Sequence, residues 1–192
     1  MAQGMGGDGM LQALKSQLKT LAADPHDAFS DKIRKLVGAS EAVHYTKPLR
    51  SLILVMPELI AQIRVWLDDP AVPARQKRLH GFLLSYLYHP ADFLPEDGAG
   101  LFGYLDDAYL VGSVYRRTLQ HLDHRTRRVL PSLDGLSDQV MAWLELARKL
   151  LPAETQRIEQ FVEDVIEGRN EAVQQALGQT AAPAHRKQEE TK

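Results

Sequence analysis

A chain of 192 residues, 44% hydrophobic and 25% charged, is long enough to bury one sizeable core and needs no second domain. Its formal charge of −2 and pI near 6.4 give it no overall attraction to nucleic acid or anionic lipid. The absence of cysteine excludes disulfides, thiolate zinc sites and cysteine nucleophiles, and fits a reducing compartment.

The glycine-rich stretch from Met1 to Gly9 is expected to be disordered and lacks the charged-then-apolar form of a secretory signal. The longest unbroken apolar run, Leu52 to Pro57, is far short of the roughly 20 residues of a membrane span, so a soluble, cytoplasmic protein is expected. Leu11, Leu14, Leu18 and Leu21 then fall at helical spacing and predict a first amphipathic helix. Asp24 is the expected cap of a second, with Pro25 as its first residue and Gly38 as its stop. Thr46 is the expected cap of a third, which carries Leu49, Leu52, Ile53, Met56, Ile60 and Ile63 on one face and should bend or break at Pro57. These helices make up residues 10–72.

Pro73 opens a fourth helix, basic at first through Arg75, Lys77 and Arg78 and then apolar through Leu79, Phe82, Leu83, Tyr86 and Leu87. It should end at His89 and Pro90. A fifth helix follows, with a seam of Leu105, Ala108, Gly112, Tyr115 and Leu119; Val111 and Val114 make its first half apolar nearly all round, so that half should be buried. The small pair Gly112 and Ser113 invites close approach by the fourth helix, folded back as a hairpin over residues 73–130. Ser137 is the expected cap of a sixth helix, and Pro152 starts a seventh that Gly168 interrupts. Helical turns over Val173 to Leu177 should complete a C-terminal unit over 131–177, leaving 178–192 as a disordered tail. No β-alternation of useful length appears. The expected fold class is all-α, a single domain of about seven helices around the central hairpin.

Between the fourth and fifth helices lies a turn rich in acids, prolines and glycines, carrying Asp92, Glu96, Asp97, Asp106 and Asp107. Hard oxygen ligands of this kind suit Mg²⁺ or Ca²⁺, with Asp92, Asp97, Asp106 and Asp107 as the candidate metal ligands, though the spacing is not that of an EF-hand. The structural reading is the stronger: Asp92 follows a helix-ending proline, and Asp106 and Asp107 sit where a helix dipole favours negative charge. No cofactor is therefore expected.

His121 and His124 have metal-ligand spacing on the fifth helix, but Arg117 and Arg128 lie on the same line and disfavour another cation, so a solvated polar face is expected. That face is basic, with Arg116, Arg117, Arg125, Arg127 and Arg128. Phosphate contact is conceivable, but cations near a helix's end complement its dipole, and no nucleic-acid motif accompanies them. Nucleophile elbows, phosphate-binding loops and zinc-protease motifs are absent from the sequence.

Pro90, Asp92, Pro95 and Asp97, followed by Gly103, Asp106 and Asp107, resemble the signature of the YkvA-like family, a bacterial domain of unknown function. The resemblance covers about residues 75–120. It departs from the family pattern by one extra residue between the acidic clusters and by Gly98, Ala99 and Gly100 where relatives have a further proline, so Glu96 or Asp97 takes the second acidic place. The resemblance implies a helical hairpin and membrane association; the cations at Arg75, Lys77, Arg78 and Arg116 argue against insertion. The leading expectation is a non-enzymatic helical scaffold or adaptor that binds protein partners. Peripheral membrane attachment through the hairpin and arginine face, and a metal-dependent enzyme using the acidic turn, are the alternatives.

Overall fold

The computed structural model describes residues 5–87, 100–122 and 129–169, and every regular element among them is helical. In chain order these are α1 (Met5–Ala22), α2 (Ala28–Val37), α3 (Ala39–Asp68), α4 (Ala74–Tyr86), α5 (Leu105–His121), α6 (Ser137–Leu150) and α7 (Pro152–Glu167), with 3-10 helices at Gly100–Tyr104 and Pro131–Leu133. The all-α expectation is met. The expected ends of α4 at His89 and Pro90, the helical turns at Val173 to Leu177 and the C-terminal tail lie outside the described residues.

The architecture is organised around α3 and α5. With 30 residues, α3 is about 45 Å long. Its three-four spacing buries Leu49, Leu52, Ile53, Met56, Leu59, Ile60, Ile63 and Trp66, and α3 packs against α1, α2, α4, α5 and α6. The innermost helix is α5: every residue from Ala108 to Tyr115 is buried, as an apolar circumference requires. Against it pack α3, α6, α7, the 3-10 helix that precedes it and, more lightly, α4. A Cβ added at Gly112 would lie 3.0 Å from Cδ2 of Leu144 on α6 and 3.5 Å from Cδ1 of Leu52 on α3. The close approach predicted at Gly112 is therefore real, but α6 and α3 make it. The expected fourth-helix partner is a correction: Phe82 and Tyr86 of α4 turn to Phe161 of α7, at ring-centroid distances of 5.1 and 6.0 Å. Helix α4 lies between α5 and α7, touching α5 through His80 and Thr118 and α7 through these rings.

Several helix boundaries also differ from expectation. Helix α1 starts at Met5, so Met5 to Gly9 are helical despite three glycines. Asp24 accepts from the His26 amide at 2.9 Å and holds a turn, while Asp27 caps α2 from a left-handed conformation (φ 43°) with its carboxylate on the Ser30 amide. Thr46 is inside α3 and donates to the Ala42 carbonyl at 2.8 Å, as a mid-helix threonine does. Helix α3 starts at Ala39 instead, because Gly38 (φ 85°, ψ 163°) turns the chain in one residue. Pro57 is buried within α3 and does not end it, nor does Pro48. Ser137 is the first residue of α6, and its hydroxyl pairs with that of Tyr115 at 3.2 Å. Pro152 and Gly168 bound α7 as predicted, with Gly168 in the left-handed conformation that favours glycine.

Candidate functional site

The acidic residues the structure describes lie at the start of α5. Asp106 and Asp107 occupy its first turn, where unsatisfied amides and the dipole favour carboxylates. Consecutive helical positions diverge by about 100°. Asp106 accordingly points into the protein, 1% exposed, while the half-buried Asp107 borders a cavity against α1 and α3. Asp92, Glu96 and Asp97 lie outside the described residues. Among the described residues no three histidine, aspartate or glutamate side chains gather as a metal site.

The cavity beside Asp107 is built from four elements: α1, α3, the end of α4 and the start of α5 with its preceding 3-10 helix. Its polar border includes Tyr104, whose hydroxyl receives a hydrogen bond from Nε2 of Gln17 at 2.6 Å. Lys15 and Glu58 join α1 to α3 at 2.5 Å close by. The 3-10 helix is anchored from α2 as well, through Phe29 against Phe102 (6.1 Å) and Lys32 over the Phe102 ring (5.7 Å).

Of the basic face, Arg116 and Arg117 are described, and they are not simply solvated. Arg116 and Arg117 are half-buried and directed onto glutamates of neighbouring helices. Arg117 grips Glu163 of α7 with both Nη atoms, and Arg116 reaches Glu145 of α6 at 3.9 Å. Beside them Arg148 joins Glu145 (2.6 Å) and Glu159 (2.5 Å), and Glu159 also accepts from the buried hydroxyl of Tyr109. Burial alone would raise the Glu159 pKa, but the Tyr109 hydroxyl and the Arg148 guanidinium outweigh it and hold the carboxyl below its ordinary value. Burial, and then the glutamate, push the Tyr109 phenol up to about 12. These pairs clamp α5, α6 and α7 together. Arg125, Arg127, Arg128 and His124 lie outside the described residues, and His121 is exposed with Nδ1 2.8 Å from the Arg117 carbonyl.

Among the described residues of the hairpin, Leu83, Val111 and Val114 are buried and Leu87 is half-buried, so these four side chains form no exposed apolar patch. Among the described residues no helix is long and apolar enough to cross a membrane.

The sequence reading missed a buried polar group. His80 on α4 is fully enclosed, stacked 6.3 Å from Trp66, which in turn stacks on Tyr115 at 5.3 Å. Its Nε2 lies 2.8 Å from Oγ1 of Thr118 on α5. The Thr118 hydroxyl spends its one proton on the Val114 carbonyl at 2.9 Å, so it accepts from His80, and the imidazole must carry its proton on Nε2. Nδ1 is then a bare lone pair, buried with no hydrogen-bond partner. Burial, with a smaller contribution from Lys77, lowers the His80 pKa to about 4. A sequence signal did exist, since His80 sits between Leu79 and Leu83 within the apolar arc of its helix.

No family model, curated protein or solved structure matches this chain.

Proposed function

We propose that the chain is a non-enzymatic helical scaffold or adaptor of the cytoplasm, with a YkvA-like segment at its centre, that binds a protein partner through its outer helices. The observation that carries this reading is the corner between α2 and α3. There Val43 is 74% exposed and Leu36 47%, two of the largest apolar exposures among the described residues. Both sit next to the one-residue connection at Gly38 and are displayed by helices anchored through Ile33, Ala42 and Leu49. Exposed Lys35 and Lys47 stand nearby in the chain and suit a partner surface that is apolar with an acidic rim.

A photoreactive residue at position 43 tests this reading in cells. It should trap a protein adduct of defined mass that Leu36→Asp removes without lowering the melting temperature, while the same residue at Gln139 traps none. Equal adducts from both positions, or adducts indifferent to Leu36→Asp, would overturn the reading. Binding of the purified protein to anionic vesicles that high salt abolishes would instead favour peripheral membrane attachment at this corner.

A further inference from the structure

Helix α4 carries two buried polar side chains on one face, Gln76 at 2% exposure and His80 at 0%. They are four residues apart in the chain, so they stand one above the other with Cβ atoms about 5–6 Å apart. Each presents an unpartnered acceptor: Oε1 of Gln76 and Nδ1 of His80 are enclosed, and neither has a hydrogen-bond partner in the protein. The neighbouring bonds fix the chemistry of Nδ1. Because Nε2–H is committed to Thr118 and the Thr118 proton to the Val114 carbonyl, Nδ1 of the neutral ring can only accept. Two acceptors cannot satisfy each other, and leaving both bare would forfeit the hydrogen bonds they make to water in the unfolded chain.

We propose that Gln76 and His80 bind one internal water molecule, which donates one proton to Oε1 and the other to Nδ1 and extends the Val114–Thr118–His80 chain of hydrogen bonds to the first turn of α4. Three features select water. The first is the donor count, since two acceptors one turn apart call for a single ligand with two protons to give. Size is the second: a group of about 30 Å³ suits the span between two such side chains, and the near-complete burial of both leaves no way out for the remainder of a larger ligand. Charge is the third. Lys77, next to Gln76 in the chain, opposes a positive charge on His80 and would oppose an ammonium or alkali ion beside it in the same way. Metal-ligating side chains do not gather in threes among the described residues. The bound water is a structural ligand, and it holds His80 in the Nε2–H tautomer that joins α4 to α5.

The proposal is independent of the partner surface at Leu36 and Val43, and nitrogen NMR of the isotope-labelled full chain at pH 7.5 tests it. His80 should carry its proton on Nε2, with the Nδ1 resonance displaced from the position of a bare imidazole acceptor towards that of a hydrogen-bonded one. Magnetic relaxation dispersion of the water oxygen, which counts long-lived internal waters, should show one fewer in Gln76→Leu, and the same variant should return Nδ1 to the bare position. Gln76→Glu keeps an acceptor in place and should keep the water. A bare Nδ1 in the wild type would overturn the site without recourse to any variant. So would an Nδ1 coupled directly to the side-chain amide protons of Gln76, which would mean that the amide is turned over and bonds the ring itself, or an equal count of internal waters in the wild type and Gln76→Leu.

Discussion

The buried imidazole of His80 makes the stability of this protein depend on pH in a range where carboxylates contribute little. In the unfolded chain a histidine takes up its proton near pH 6.5, whereas in the folded protein the proton binds only near pH 4, because burial penalises the charged ring and the Lys77 charge opposes it further. The unfolded state therefore binds more protons on acidification, and stability falls as pH drops from about 6.5 towards 4. Linkage between those two values gives a loss of about 2 kcal/mol at pH 5 and about 3 kcal/mol at pH 4, with the full contribution retained above neutrality. Urea denaturation at pH 7.5, 6, 5 and 4.5 measures it. His80→Gln keeps a donor close to Nε2 but cannot titrate. It should lower stability at pH 7.5 by about 1 kcal/mol through imperfect packing, and the gap to the wild type should close or reverse by pH 5. Glu159 and Asp164, held below their ordinary values, lose their contribution only at lower pH and do so equally in both proteins. Parallel stability curves for wild type and His80→Gln between pH 7.5 and 5 would refute the argument, as they would mean that His80 is solvated or moves out on protonation without cost.

Other perturbations have equally definite outcomes. Gly112→Leu should destabilise by about 1–3 kcal/mol, since the new side chain must displace the fully buried Leu144 and Leu52; a raised melting temperature would show that helix propensity outweighs that contact. Asp27→Ala should cost about 1–2 kcal/mol by removing the cap of α2 and forcing a Cβ without polar compensation into the left-handed region, and Asp27→Gly should recover part of it; equal melting temperatures for the Ala and Gly variants would refute the conformational part. A double-mutant cycle on Arg117 and Glu163 should give a coupling of about 0.5–1 kcal/mol that shrinks in high salt, because both side chains are partly exposed; a coupling unaffected by salt would place the pair in a drier site.

What the sequence by itself determined were the features governed by neighbours along the chain. The three-four spacing of leucines and isoleucines specifies helices, and Pro152 and Gly168 mark the ends of α7 because their backbone restrictions act wherever they occur. The apolar circumference of α5 specified its burial, and Asp106 and Asp107 its first turn. What only the tertiary structure decided were the choices among competing partners. Thr46, Asp24 and Ser137 could each have capped a helix, but a cap needs a non-helical backbone at that residue, and the packing of α2 and α6 set the boundaries elsewhere. Pro57 could have ended α3, but burial of α3 on both sides of it outweighs the amide that proline lacks. Arg116 and Arg117 looked like a free cationic face because Glu145 and Glu163, which turn them inward, lie some thirty to fifty residues away. Gly112 announced a close approach without naming the helix that makes it, and the cavity beside Asp107 is assembled from four elements separated along the chain. Helical periodicity reports which face of each helix is buried; which helix covers that face is settled by shape and area summed over the whole molecule.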